Sequence, residues 1–148
     1  MFSATDYRQL SNSNIKISPL TLGTMTFGDQ NSKSEAYEQL DFALDIGINS
    51  IDIAELYPVP PKAGTYTKTE SILGDWLQTQ DRDKIIISSK VAGPRRKLNW
   101  IRGGPTSLNE ENIVNALDAS LKRLKTEYID IYYLHCTFEL SQYTRYLR

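Results

Sequence analysis

The sequence predicts an α/β fold in which parallel strands alternate with helices. Short apolar segments alternate with amphipathic segments of helical periodicity along the 148 residues, and this order is typical of parallel strands joined by helical crossovers. Two longer loops, rich in proline or glycine, follow apolar segments at 57–66 and 92–105. In parallel α/β proteins such loops usually carry the functional site. We therefore expect a site at one edge of the sheet.

Four apolar segments have the length and composition of buried strands. The second and fourth are rich in β-branched and aromatic residues, which favour strands. The four predicted strands cover residues 20–22, 48–53, 85–88 and 129–134. Before the first of them, segments 7–10 and 14–17 flank the turn at 11–13 and predict a β-hairpin.

Three helices are predicted between the strands, each beginning at a capping box. In this motif a Ser or Thr and a Glu three residues later cap the first helical turn reciprocally. The boxes are Ser32-x-x-Glu35, Thr67-x-x-Glu70 and Ser107-x-x-Glu110. Gly47 is placed to end the first helix. The predicted apolar faces are Ala36, Leu40, Ala43 and Leu44 in the first helix, Ile72, Leu73, Trp76 and Leu77 in the second, and Ile113, Val114, Leu117, Leu121 and Leu124 in the third.

The spacing of the strands indicates a TIM barrel, the closed (β/α)8 arrangement. Such a barrel uses roughly 30 residues per strand–helix unit, from a total of about 250. Four parallel strands, three helices and an N-terminal hairpin in 148 residues correspond to about half of it. Residues 137–148 do not continue the alternation. We expect a partial barrel over residues 1–136 and a separate tail over residues 137–148.

Composition and charge exclude several classes of function. Seventeen Lys and Arg against 18 Asp and Glu give a net charge of −1, whereas nucleic-acid binding depends on an excess of basic residues. One cysteine, Cys136, and one histidine, His135, exclude an intramolecular disulfide and multi-histidine or cysteine-based metal sites. The sequence has no signal peptide and no apolar run long enough to span a membrane. We expect a cytoplasmic protein with no nucleic-acid or membrane partner.

Polar side chains follow three of the predicted strands at what would be one edge of the sheet. Asp52, Lys90 and His135 end the second, third and fourth strands, and Tyr57 lies five residues beyond Asp52. A tyrosine hydroxyl has an unperturbed pKa of about 10, and a neighbouring ammonium stabilises its phenolate form. A carboxylate would hold that ammonium, and a neutral imidazole could donate a hydrogen bond to a carbonyl oxygen. Each residue alone has an ordinary structural explanation, but together they suit protonation of a carbonyl oxygen while a cofactor delivers hydride to carbon.

These four residues lie in segments that resemble the aldo-keto reductases, a family of (β/α)8 barrels that reduce aldehydes and ketones with NADPH. The matching segments are LGTMTFG at 22–28, IDIAELY at 51–57, SSKV at 88–91 and YLH at 133–135. The proline-rich segment PVPP at 58–61 resembles the Tas-type bacterial branch of that family. The resemblance covers about residues 7–135.

The resemblance implies a role for each of these residues. Tyr57 is implied as the proton donor, Lys90 and Asp52 as the pair that tunes it, and His135 as the group that orients the carbonyl of a small-molecule substrate. NADPH is the implied cofactor. The implied cofactor-binding residues are Gly23, Thr24, Met25, Gln30 and Asp52.

The sequence also departs from the family in two ways. Cys136-Thr137 stand where a Trp-Pro pair commonly follows the histidine. The second half of the barrel, which holds the nicotinamide amide and the adenosine 2′-phosphate, has no counterpart in these residues, so we expect a fragment. Two other functions stay open: an interaction or cofactor-sensing module like the potassium-channel β-subunits, and an inactive fragment.

Two loop features have both a functional and a structural explanation. The basic segment at 95–97, together with Arg102, could meet a phosphate or an acidic substrate, but we interpret it as a solvated surface loop. Trp100 and the prolines at 58–61 either wall a substrate pocket or stiffen their loops.

Overall fold

The computed structural model describes residues 3–94 and 98–135. Within these residues the chain forms six strands and three α-helices. The strands are β1 (Arg8–Gln9), β2 (Lys16–Ile17), β3 (Thr21–Gly23), β4 (Ser50–Asp52), β5 (Ile86–Ala92) and β6 (Ile131–His135). The helices are α1 (Lys33–Asp45), α2 (Lys68–Leu77) and α3 (Glu110–Leu124). Among these described residues, no helix is both long and apolar enough to cross a membrane.

The sheet confirms the predicted α/β architecture. Strands β1 and β2 pair antiparallel as the predicted hairpin, and β3, β4, β5 and β6 form one parallel sheet in chain order. A helix lies between each consecutive pair of parallel strands along the chain. The predicted strands are shifted at their ends, since β3 includes Gly23 and β5 continues past Lys90 to Ala92.

The two faces of the sheet have different residues because successive side chains of a strand point to opposite faces. Ile51 and Ile87 belong to the main hydrophobic core, which contains residues of all three helices, and the partly buried Leu22 packs against it. The opposite face of β3, β4 and β5 carries small and polar residues, and these line an open cavity of about 400 Å³. The cavity includes Gly23, Asp52 and Ser88. Asp52 therefore faces the cavity side and not the core.

Helix α1 begins and ends as predicted. Ser32 Oγ accepts a hydrogen bond from the Glu35 amide, and the Ser32 amide donates to Glu35 Oε2 at 2.7 Å, so the capping box is formed. The Glu35 carboxylate in the first turn accepts hydrogen bonds from Ser32, and these bonds lower the pKa of Glu35. Gly47 follows the helix with φ of 89°, a conformation that glycine adopts without strain. The buried face contains Ala36, Leu40 and Ala43.

The other two predicted capping boxes are wrong. Thr67 precedes α2 in the left-handed region and makes no capping hydrogen bond with its side chain. Glu70 is instead buried. Its carboxylate binds Arg123 at 2.6 Å and accepts a hydrogen bond from Ser89 Oγ at 3.0 Å, so it does not cap the helix. Helix α3 starts two residues later than a Ser107 cap would require, and Asn109 caps it by accepting from the Asn112 amide at 3.0 Å.

The predicted apolar face of α3 is correct only in part. Leu124 is buried, but the other buried positions are the small residues Ala116 and Ser120, and Val114 is half exposed. The small residues let α3 lie close to its neighbours, and α3 packs against both α2 and β5. Close approach, which a hydrophobicity pattern does not report, therefore decides which face is buried.

The contact between α2 and α3 predicts a stability effect at Gly74. A Cβ atom placed there would lie 2.0 Å from the Arg123 carbonyl oxygen, so the two segments cannot keep their spacing. We expect Gly74→Ala to lower the free energy of unfolding by about 3 kcal/mol, as measured by urea denaturation. Gly64→Ala is the control, because a Cβ at Gly64 meets no atom within 4 Å. Equal effects of the two substitutions would contradict the close approach.

Candidate active site

Three of the predicted catalytic residues meet at the carboxyl end of the parallel sheet, which we call the rim. The Lys90 Nζ lies 2.6 Å from Asp52 Oδ2 and 3.2 Å from the Tyr57 hydroxyl oxygen. It also donates to the Ile53 carbonyl at 2.9 Å. The Lys90 side chain is only 14% exposed, so the ammonium is largely withdrawn from water but has three oxygen partners.

The register of β4 and β5 explains how these residues meet. Asp52 is opposite Ser88, and β4 ends there while β5 continues. Lys90 lies two residues further along β5 and on the same face as Ser88, so its side chain reaches both Asp52 and the loop beyond β4. Ser88 Oγ donates to Asp52 Oδ1 at 3.0 Å, which leaves Oδ2 for Lys90. Sequence reasoning missed Ser88, although its spacing of two residues from Lys90 was a usable signal.

Tyr57 and His135 are also brought together. Tyr57 is buried, and a turn closed by its amide and the Ala54 carbonyl at 3.1 Å directs the chain back towards the rim. Its ring contacts the His135 imidazole edge to face, with the ring centres 5.9 Å apart. The Lys90 Nζ lies 4.8 Å from the centre of the same tyrosine ring. All four predicted catalytic residues therefore share one site.

The predicted cofactor-binding residues lie along the rim beside β3. Thr24 is buried and donates through its amide and its hydroxyl to the Asp52 carbonyl, at 3.2 and 2.8 Å. Met25 is half exposed, and a Cβ at Gly23 would meet no atom within 4 Å. Gln30 lies further away in the loop, where its side-chain amide donates to the Val59 carbonyl at 3.1 Å. Gly23 thus leaves open space at the rim, whereas Thr24 and Gln30 connect neighbouring segments.

The interpretation of Arg102 as a solvated loop residue is wrong. Its guanidinium binds the Glu55 carboxylate, and the Arg102 side chain is only 16% exposed. Glu55 itself is buried and also accepts from the Ala92 amide at 2.6 Å. Residues 95–97 of the basic segment lie outside the described residues. Sequence reasoning missed Glu55, although a charged residue within the otherwise apolar run at 53–56 was a signal.

The described part of the chain has no group of three or more His, Cys, Asp or Glu residues that could hold a metal ion.

The sequence pattern of the Aldo/keto reductase family matches residues 19–147 of this chain. The chain belongs to the aldo-keto reductase family. Protein tas of Escherichia coli is 48% identical over 130 residues, which cover 87% of this chain and 38% of tas. Norsolorinic acid reductase B of Aspergillus parasiticus is 36% identical over 140 residues, covering 87% of this chain and 35% of that protein. This aldo-keto reductase chain thus spans well under half the length of these curated relatives.

Solved aldo-keto reductase structures share the fold. The thermostable aldo-keto reductase Tm1743, crystallised with the inhibitor epalrestat, has a TM-score of 0.68 and 30% identity, covering 87% of this chain and 42% of its own. A Pseudomonas aeruginosa protein described as a candidate aldo-keto reductase has a TM-score of 0.70 and 30% identity, covering 88% and 47%. The parallel strands and helices of this chain are therefore part of a (β/α)8 barrel, as predicted.

The geometry of Lys90 predicts a stability effect at Asp52. Asp52→Ala leaves the Lys90 ammonium without its carboxylate, so we expect the free energy of unfolding in urea to fall by about 2 kcal/mol. Adding Lys90→Met should recover part of that loss, since the unpaired charge is then removed. Asp81→Ala breaks an exposed pair with Lys84 and serves as the control, with no measurable change expected. An equal loss of unfolding free energy in Asp81→Ala would contradict a special role for the Asp52–Lys90 pair.

Proposed function

We propose that this chain carries the catalytic rim of an NADPH-dependent reductase that converts an aldehyde or a ketone into an alcohol. The observation that carries the proposal is the position of the Lys90 Nζ between the Asp52 carboxylate and the Tyr57 hydroxyl, at 2.6 and 3.2 Å. A tyrosine beside a held ammonium is suited to giving up its proton, because the ammonium stabilises the resulting phenolate. The proposal includes a cytoplasmic location and a small-molecule substrate.

Tyr57 is the proposed proton donor. Its O–H bond breaks as the proton passes to the substrate carbonyl oxygen, and the negative charge left on Tyr57 faces the Lys90 ammonium. Asp52 and the Ile53 carbonyl hold that ammonium in place. His135, in contact with the Tyr57 ring, is the proposed donor that orients the carbonyl oxygen. The reaction then needs only a hydride at the carbonyl carbon.

NADPH supplies that hydride when bound. Gly23, where a Cβ would meet no atom within 4 Å, and the half-exposed Met25 would hold the cofactor together with Asp52. Thr24 and Gln30 belong to the same proposed cofactor surface. Their side-chain donors are engaged with the Asp52 and Val59 carbonyls, so their contribution is to order the backbone that meets the cofactor.

The relatives support an enzyme over a channel subunit or another interaction module. One is named a norsolorinic acid reductase and another, from Bacillus subtilis and 36% identical over 132 residues, is named an oxidoreductase. The reduction of a carbonyl group is consistent with both names and with the acid–base set at the rim.

The proposal predicts the effect of removing the Tyr57 hydroxyl. Two preparations are used: the chain alone, and a chimera in which it replaces the matched 38% of Escherichia coli tas. NADPH consumption is followed by absorbance with a panel of aldehydes and ketones. We expect Tyr57→Phe to lower turnover by about 100-fold or more, because general acid catalysis is lost. NADPH affinity, measured by nucleotide fluorescence, should change by less than about twofold.

Tyr128→Phe is the matched control. The Tyr128 hydroxyl also donates a hydrogen bond, to Asp83 at 2.8 Å, and a cation, Arg82, also lies over its ring at 4.0 Å. It precedes β6 and so lies away from the rim. Loss of turnover in both variants, or NADPH consumption unaffected by Tyr57→Phe, would refute the proton-donor role. Absence of NADPH consumption in both preparations would refute the proposed function.

A further inference from the structure

The buried ion pair between Glu55 and Arg102 is not used by the proposed chemistry. Glu55 lies in the loop after β4, two residues before Tyr57, and only 1% of it is exposed. Arg102 lies in a short 3-10 turn, Ile101–Gly103, beyond β5. The pair therefore joins the segment that holds Tyr57 to the segment that follows the Lys90 strand.

Glu55 also holds the end of β5. Its Oε1 accepts from the Ala92 amide at 2.6 Å, and Arg102 approaches the Ala92 carbonyl at 3.5 Å. Ala92 pairs with His135 in the sheet, and the Gly93 amide donates to the His135 carbonyl at 2.8 Å. One carboxylate thus connects the three segments that carry Tyr57, Lys90 and His135.

Apolar contacts extend this connection to an aromatic pair. Leu56, Ala92, Leu98 and Ile101 form a second small hydrophobic cluster at the rim, and Tyr66 and Trp100 pack against it. The rings of Tyr66 and Trp100 meet edge to face, with their centres 5.2 Å apart. Because Leu56 is the neighbour of both Glu55 and Tyr57, the cluster and the ion pair act on the same stretch of chain.

We infer that the Glu55–Arg102 ion pair is a positioning device that fixes residues 98–103, with Trp100, against the loop that carries Tyr57 and thereby sets the affinity for the carbonyl substrate. The Lys90–Asp52–Tyr57 contacts face the cavity side of the sheet and do not include either residue. Loss of the ion pair should therefore act on substrate binding more than on the proton transfer. The substrate-affinity part rests on the proposed function, whereas the positioning of Trp100 does not.

The chain contains a matched control pair. Glu70 and Arg123 form a second buried Glu–Arg pair, with side chains 0% and 21% exposed against 2% and 16% for Glu55 and Arg102. Glu70 also accepts from a residue of β5, Ser89. This second pair joins α2 to the last turn of α3 and includes no residue of 98–103. Breaking it removes a similar interaction without touching the Trp100 segment.

Trp100 fluorescence tests whether the ion pair positions residues 98–103, and the test uses the chain alone. Acrylamide quenching is measured in Arg102→Met, Glu55→Gln and Arg123→Met, each also with Trp100→Phe so that the Trp100 signal is obtained by difference. The other tryptophan, Trp76, is buried in the core and is present in every variant. We expect the Trp100 quenching constant to rise about twofold in Arg102→Met and less in Glu55→Gln, which keeps the size of the side chain, and not to rise in Arg123→Met.

Rescue by a conservative substitution separates positioning from general destabilisation. Arg102→Lys keeps the positive charge, so its Trp100 quenching should lie closer to that of the unaltered chain than to that of Arg102→Met. Should Arg102→Met fail to fold, Glu55→Gln and Arg102→Lys still give the comparison. Unchanged quenching in these variants, or an equal rise in Arg123→Met, would overturn the inference.

Steady-state kinetics tests the substrate-affinity part in whichever preparation consumes NADPH. We expect Glu55→Gln to raise KM for the carbonyl substrate about tenfold while kcat changes less than about threefold. A fall in kcat with KM unchanged would overturn this part. Should neither preparation consume NADPH, the proposed function and its substrate-affinity consequence fall together, while the quenching result still decides the positioning of Trp100.

Discussion

The Lys90 ammonium lies where β4, β5 and the loop after β4 meet, and it is largely withdrawn from water. A charge withdrawn from water is costly unless it is paired and hydrogen-bonded, and Lys90 is only slightly exposed. Its partners come from the end of β4, as the Asp52 carboxylate and the Ile53 carbonyl, and from the next loop, as the Tyr57 hydroxyl. The hydrogen bonds of this one ammonium therefore fix β4, β5 and the loop after β4 relative to each other. That arrangement is the geometry that acid–base chemistry needs.

Two buried glutamates, Glu70 and Glu55, connect β5 to the helix layer and to the rim. Glu70 connects the helix layer to β5 through Arg123 and Ser89, and burial raises its pKa although Arg123 favours the charged form. Glu55 makes the corresponding connection at the rim, through Arg102 and the Ala92 amide. Both carboxylates attach a segment that is distant in the sequence to β5. Because β5 lies between β4 and β6 in the sheet, both segments are attached to the interior of the sheet and not to its edge.

The features that sequence predicted well are those set by local patterns. The strand order, the three helices, and the capping box and glycine end of α1 all follow from periodicity and from residues within four positions of each other. The capping box predicted for α2 does not form, because the Glu70 carboxylate binds Arg123, which lies 53 residues further along the chain. The α3 face was mispredicted because Ala116 and Ser120 are buried by close packing and not by hydrophobicity.

Local sequence patterns were enough to identify the available chemical groups and to predict that parallel strands bring Asp52, Tyr57, Lys90 and His135 to one rim, because strand ends and their polar residues are local features. The pairing of those groups follows from the folded arrangement of the chain. The register that sets Ser88 beside Asp52, the turn that returns Tyr57 to Lys90 and the burial of Glu55 with Arg102 all depend on contacts between distant segments. Such contacts are selected by the packing of the whole sheet and its helices, and no local pattern encodes them.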